Sequence, residues 1–404
     1  MSTTQDARKK FTIASAQENL YSVNVANVVG KTDTDKMGTV YNPYTSTPVV
    51  SDGAVSGAGY AVGTYSADAD SLQVNRRASA SEHVDSYDWK SVDFGLLGDR
   101  GMNMGKGISQ VIDGFFLNLP VTTSGVAVLG DAGVPGATAA WTSSSTVIDE
   151  IINTSLQEIE LENSYDQKFM VVSSYEANDL RQYLQTTGNM VMDEVIRAGI
   201  PSSVTSLGTT FSGVKVFQSN NITQEVVLGI ATQPTAGDTI SVAGVTATFV
   251  AALTGAASEI HITASVDATA ANYTAWLNSN GATAVVEATN TGASAASNED
   301  QARLSRLGIV AVHSTGADTI TITTKGVVKL AETLTDATDE FAAASRFLVF
   351  GDMGSINLYL PTQGMDYEEK SVSAKAGVEL YMEQFYNAVI WTRMKLRVLA
   401  IKVN

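Results

Sequence analysis

Carboxylates are the most numerous ionisable groups in this 404-residue sequence, with 42 Asp and Glu against 25 Lys and Arg, and there is no Cys. The absence of Cys removes thiolate nucleophiles, disulfide scaffolds and Cys-based zinc sites together. The three histidines, His83, His261 and His313, lie far apart, and none has a second His or a carboxylate at a metal-ligand spacing. Gly101-Met-Asn-Met-Gly105-Lys106-Gly107 is the nearest approach to a phosphate loop. It has three residues between its first two glycines where a P-loop has four, and Gly107 stands where Ser or Thr would bind magnesium. Gly57-Ala-Gly59 with Gly63 misses the dinucleotide spacing by one residue and opens no helix. Asp33-Thr-Asp35 resembles the start of a calcium loop, but its twelfth position is Tyr44 and not Glu. Glu158, Glu160 and Glu162 cannot share one helix face and read as a solvated surface. Carboxylate, Lys or Ser chemistry is all that remains, and no acid/base pair converges. No catalytic, cofactor-binding or metal-ligating residue is assigned, and the protein is not expected to be an enzyme.

The formal charge of −17 argues against a general nucleic-acid binder, because neutralising phosphates takes clustered Lys and Arg. It is compatible with enclosing DNA, since an acidic wall leaves a polyanionic cargo mobile. The basic triplet Arg8-Lys9-Lys10 is the one candidate for an inward DNA contact, and solvation explains it equally. No secretory signal is expected at the N-terminus, and no apolar run reaches membrane-spanning length, so no membrane partner is expected.

The elements that would have to position any site fall into two textures. All eleven Met lie outside 193–352, and Tyr273 is the only Tyr between 184 and 358. Inside that stretch, about 225–341 is rich in Thr, Ala, Gly and Val, with four Lys/Arg against twelve Asp/Glu. Ile240 and Val242 alternate with Thr239 and Ser241, Ala243-Gly244 supplies a turn, and Val245, Ala247 and Phe249 resume the alternation, which predicts a hairpin. Further strands are expected at 259–263 and 316–324, with a short helix capped by Asp267 that buries Ala271, Trp276 and Leu277. The segment reads as a mostly β domain inserted into another fold.

Outside it, residues 1–40 read as an extended polar arm. Leu72–Arg77 and His83–Phe94 read as the two strands of a projecting polar hairpin. Met104, Ile108, Val111, Ile112 and Phe115 predict a helix over 102–117, weakened at its start by Gly101, Gly105 and Gly107. Thr146 opens a second helix with the stripe Ile148, Ile152, Leu156 and Ile159. Lys168–Val172 is a buried-type strand, and Ser173-Ser-Tyr-Glu176 is a capping box for the helix that follows. Strands are expected at Val214–Phe217, Phe347–Phe350 and Met394–Val403, the last with basic residues on one face.

This order of elements resembles the major capsid proteins of tailed double-stranded DNA phages, with the Hong Kong 97-type (HK97-like) fold, over about 1–222 and 342–404. Three patterns carry it: Leu72-Gln-Val-Asn with Val84-Asp85 and Tyr87-Asp88, similar to an E-loop; Phe169–Leu180, similar to the strand and helix entering an A-domain; and Phe347–Leu358, similar to the later return strand. The resemblance implies an α+β subunit with an N-terminal arm (1–40), an E-loop (60–94), a P-domain and first part of the A-domain (95–224), and the remainder of both domains (342–404); the β-rich surface domain (225–341) is an insertion that the minimal fold does not contain. It implies a shell protein that self-assembles as hexamers and pentamers in the host cytoplasm, and that ends in the virion as an icosahedral capsid around the phage DNA. A portal protein and a separate scaffolding protein are expected partners, with no cofactor, and the insert is expected to brace neighbouring capsomers, receive a decoration protein or bind host surface glycans. An encapsulin-like nanocompartment shell is the alternative, followed by a β-rich adhesin and a carboxylate hydrolase.

Overall fold

Phe169-Met-Val-Val172 is apolar without alternation, so a strand made of it must be covered on both faces. In the computed structural model this run is β6 (Lys168–Val172), buried throughout and central to a nine-stranded sheet. The structure describes residues 9–17, 25–45, 67–85, 94–130, 141, 147–162, 164, 166–186, 206–209, 213–287, 290–316, 318–336, 339–371 and 377–404. Strand β18 (Ser345–Asp352) runs antiparallel to β6, and β8 (Lys215–Gln218) runs parallel to it on the other side. Between β6 and β8 the chain forms helix α5 (Ser174–Thr186). β22 (Val398–Val403) lies along β18 and carries the short parallel strand β5 (Ala127–Leu129). The fold is mixed α+β.

One core contains Ile108, Ile112, Phe116, Phe169, Leu348 and Phe350, and it takes in Ile148, Ile152 and Ile159 of helix α4 (Val147–Glu160). Those three are the stripe expected there, and Leu156 packs against it half-buried. A second core gathers Ile240, Phe249, Tyr273, Trp276 and Ile320. The two are not separated by a linker. Strand β9 (Gln224–Gly229) pairs with β16 (Thr319–Thr324) over its whole length, and its start also pairs with the first residues of β18. One sheet therefore runs through both cores, and β15 (Val310–Ser314) ends it beyond β16.

The expected hairpin of the second unit forms as β10 (Thr239–Val242) and β11 (Val245–Val250), with Val242 opposite Val245. Its turn residues have φ of 57° at Ala243 and 82° at Gly244. Two successive positive φ values define the turn type that matches strand twist in a two-residue hairpin. Ile240, Val242, Val245, Ala247 and Phe249 are all buried, as the alternation requires. Helix α6 (Val266–Asn278) starts from Ser265, whose hydroxyl accepts the Ala268 N–H at 3.2 Å. Asp267 is thus a first-turn acid and not the cap, and the helix buries Ala270 and Tyr273 with Trp276 and Leu277 while Ala271 stays half-exposed. A further helix, α7 (Asn298–Leu307), was not expected. Ser297 accepts the Asp300 N–H at 3.1 Å, and Gly308 closes the helix with φ 53°.

Several elements depart from expectation. Within the presumed extended arm, residues 9–17 are helical (α1), and Val25–Val29 forms a second short helix (α2) whose Val25, Ala26 and Val29 are buried. The helix expected over 102–117 is α3 (Phe94–Thr122), with Pro120 inside its last turn. Its glycines explain both results. A Cβ on Gly101 would stand 2.8 Å from the Thr12 carbonyl oxygen, and one on Gly105 would stand 2.5 Å from that of Ala16. The glycines that lower helix propensity therefore form the seat on which α1 lies backbone to backbone. Gly105→Ala should gain about 0.5–1 kcal/mol of helix propensity yet unseat α1. Hydrogen exchange read at residues 9–17 should rise sharply while protection of α3 holds. At the C-terminus, Thr392–Arg397 is a 3-10 helix, so the final strand starts only at Val398, and Lys395 and Arg397 are not strand residues.

Candidate assembly surface

No described residues form a group of three or more His, Asp or Glu able to hold a metal. No helix among the described residues is long and apolar enough to cross a membrane. The residues singled out for chemistry are scattered. Gly101–Gly107 lies inside α3. Asp33 accepts the N–H groups of Asp35 and Lys36 at 3.1 and 3.3 Å, a local turn that uses up the carboxylate. His83 is an exposed strand residue, and His313 lies 3.4 Å from Asp267. Gly57, Gly59, Gly63 and Arg8 lie outside the described residues. Lys9 is paired with Asp366 at 2.6 Å, and this partner holds the Asp366 carboxyl below its usual range.

Surfaces are better defined than sites. β2 (Gly38–Thr45) and β3 (Ala67–Val74) form a two-stranded ribbon over eight paired positions. The strand expected to pair with its own continuation thus pairs with the preceding segment. β4 (Arg76–Asp85) leaves the ribbon and lies along β21 (Gly377–Val389) for ten positions. An isolated ribbon is marginal in water. Here only its base has a core, where Val40 and Val74 meet Tyr359 and Trp391. Tyr41, beside Val40 but on the opposite face, is 68% exposed.

The ribbon is clamped along its length by a hydrogen-bond set that links distant parts of the chain. The Asp70 carboxylate accepts the Thr392 N–H at 3.0 Å and the Thr392 hydroxyl at 2.9 Å, so the ribbon caps the 3-10 helix. The Arg393 guanidinium donates to the Thr45 carbonyl oxygen and lies over the Tyr44 ring. Burial and the nearby Asp68 and Asp70 charges push the Tyr44 phenol up. Asp70→Ala should cost about 1 kcal/mol, the usual worth of a helix cap. Limited proteolysis should then cut the ribbon earlier than in the parent protein, with global unfolding little changed.

A second surface is the outer face of the sheet made by β4, β21 and β20 (Met365–Ser371). Arg77, Ser79, Ser81 and His83 line one row of it, Glu379, Tyr381 and Glu383 the next, and Asp366, Glu368 and Lys370 the third. Opposite charges meet on it, between rows from Arg77 to Glu383 at 3.2 Å and along β20 from Lys370 to Glu368 at 3.0 Å. Such exposed pairs contribute little stability and leave the face water-compatible.

The charges that are buried serve the body. Glu176 completes the expected capping box by accepting the Ser173 N–H at 3.1 Å, and it pairs with the Arg346 guanidinium from β18. Lys168 pairs with Asp352 at 2.6 Å across β6 and β18, with both side chains buried. Sequence reasoning missed Asp70 and Asp352 because their partners lie 322 and 184 positions away respectively, and no local spacing encodes such pairings.

The chain is similar to a structure from Mycobacterium phage Che8, at 12% identity over 91% of this chain and 85% of that chain, with a TM-score of 0.45. It is similar to the capsid of the cyanophage P-SCSP1u at 7% identity, covering 95% of this chain and 89% of that one, with a TM-score of 0.45. A virus-like particle from Pyrococcus furiosus matches at 6% identity over 99% and 98% of the two chains, with a TM-score of 0.43. No family model and no curated protein matches the sequence.

Proposed function

We propose that the chain is a major capsid protein of the Hong Kong 97 type, a non-enzymatic subunit that assembles into an icosahedral shell around phage DNA. The observation that carries the reading is the β2–β3 ribbon. It is a polar ribbon with a four-residue core at one end, tied to the body through Asp70 and Thr45 and otherwise without a core of its own. Such an element gains its order by lying on a neighbour, and symmetry multiplies each modest contact over the shell. Subunits grouped as hexamers and pentamers fit this reading. So do assembly in the host cytoplasm, a separate scaffolding protein and a portal.

On the same reading, 225–341 is an inserted domain on the outer surface, where it braces neighbours or receives a decoration protein. Its sheet is continuous with that of the body through β9, which gives it a rigid mount suited to bracing. Expression of the chain alone and with the genes that flank it, followed by light scattering and electron microscopy, tests the proposal. Closed shells or capsomer rings are expected, and a monodisperse monomer in both cases overturns it. Shells that enclose a protein cargo in place of DNA would assign the nanocompartment role.

A further inference from the structure

The unit spanning 225–341 is acidic, with only four Lys or Arg. Two of them, Arg303 and Arg306, sit one turn apart on α7, and together they line one cleft of about 750 Å³. The opposite wall is β4, which contributes Arg77, Ser79 and Ser81, and the floor is α3 at Gly107 and Val111. A third base of the unit, Lys325, lies close behind. Burial depresses its ammonium pKa, and the Arg76 charge depresses it further. Basic groups from both cores thus converge on one place in a chain whose net charge is −17. Among the described residues Glu299 is the only carboxylate on the lining. It reaches Arg303 at 3.4 Å, and Arg306 has only a 3.5 Å contact to the neutral Gln110. Arg77 is paired with Glu383 at 3.2 Å, so the positive surplus of the cleft rests on Arg306, with Val111 and Ala302 supplying apolar lining.

A matching surface exists on the same chain. Glu158 and Glu162 are exposed one turn apart at the end of α4, on the side away from Glu160, and neither has an ion-pair partner among the described residues. Leu161, between them in sequence, is 67% exposed. An acidic turn with one protruding leucine complements a basic cleft with an apolar floor.

We propose that the Arg77–Arg303–Arg306 cleft is an interface between copies of this chain, and that it receives the Glu158–Glu162 turn of a second copy. The inference rests on the self-assembly reading above and names one contact through which it occurs. A second copy fits better than nucleic acid, because the basic patch is small and the −17 charge around it repels a phosphate backbone. The same charge makes copies repel one another, so an interface needs a local patch of opposite sign.

A charge swap in the full chain tests this. Arg303→Glu with Arg306→Glu should lower assembly at least tenfold, read as the shell or oligomer fraction by light scattering and sedimentation. Glu158→Lys with Glu162→Lys should do the same, and the combination of both sets in one chain should recover most of it. Circular dichroism checks that each variant is folded, and Arg303→Gln with Arg306→Gln, expected to show an intermediate loss, serves if the Glu pair is not. Full assembly of the arginine variants, or losses that the combined swap does not recover, overturns the inference. So does a mobility shift of a short DNA duplex at physiological salt that the arginine variants abolish, which would give the cleft to nucleic acid. A parent chain that remains monomeric overturns the assembly reading as well, whereas a parent that assembles beside unaffected variants overturns this contact alone.

Discussion

Lys168→Met is expected to destabilise the protein by about 3–5 kcal/mol, the usual cost of leaving one member of a buried ion pair without its partner. The Lys168 side chain is 7% exposed and that of Asp352 2%, and their charged atoms are 2.6 Å apart. The ammonium also donates to the carbonyl oxygens of Ser164 at 2.9 Å and Asp166 at 3.0 Å. Asp352 accepts from the Ser164 hydroxyl as well. Removing the ammonium strands a carboxylate between β6 and β18, the two strands that hold the body sheet together. Asp352→Leu added to Lys168→Met should restore most of the loss, because replacing both charges by apolar groups removes the desolvation cost along with the attraction. Urea unfolding of the parent, the two single variants and the double variant measures the coupling. A Lys168→Met variant within 1 kcal/mol of the parent would show that Asp352 finds other solvation and that the pair is not structural.

How much of this was legible in the sequence depended on the range of the interaction. The Ala243-Gly244 hairpin, the α4 stripe and the Ser173–Glu176 capping box are encoded within a few residues, and all three stand in the structure as read. Helix α7 was missed although its signals are equally local, with Ser297 and Asp300 at capping spacing and Gly308 at the end. The Thr-rich strands around it drew the reading towards β. The N-terminal segment was misread for a different reason. Residues 9–17 lack a convincing apolar stripe, and what holds them is the bare backbone of Gly101 and Gly105, which leaves no mark in their own pattern. The β4–β21 ladder joins residues about 300 positions apart and decides that β4 belongs to the body and not to the projecting ribbon. Pairing of that kind is set by tertiary packing.

The assembly surfaces were legible only in part. The polar ribbon was anticipated from its scarcity of core positions, though with the wrong partner strand. Glu158, Glu160 and Glu162 were read as a solvated face, and they are exposed. The arginine cleft was invisible, since Arg77 and Arg303 are 226 positions apart and meet only because α7 folds back over α3 beside β4. An acidic composition conceals a small basic surface when its members come from different elements.

The buried Asp113 should make stability fall as pH rises, contrary to the usual behaviour of a carboxylate in an ion pair. It sits on α3 beneath α2, where it accepts the Ala26 N–H at 2.9 Å and is approached by the Asn221 side-chain amide at 3.3 Å. Burial pushes its pKa up to about 6, against the lowering effect of the Ala26 hydrogen bond. A folded pKa above the unfolded value of about 3.9 means that the native state binds the proton more tightly. The penalty is therefore absent below pH ~4, grows through the interval to pH ~6, and is complete above it, amounting to about 3 kcal/mol at 1.36 kcal/mol per pKa unit. Asp113→Asn keeps an oxygen for the Ala26 N–H and has no charge to bury. It should match the parent near pH 4 and exceed it by up to about 3 kcal/mol at pH 7.5. Denaturant unfolding of both proteins at the two pH values tests the sign directly, and parallel stability profiles would rule the account out. Because Asp113 holds the first turn of α2, which leads into β1 (Lys31–Asp33) and its pairing with β19 (Asn357–Tyr359), mild acid should tighten the N-terminal segment onto the body.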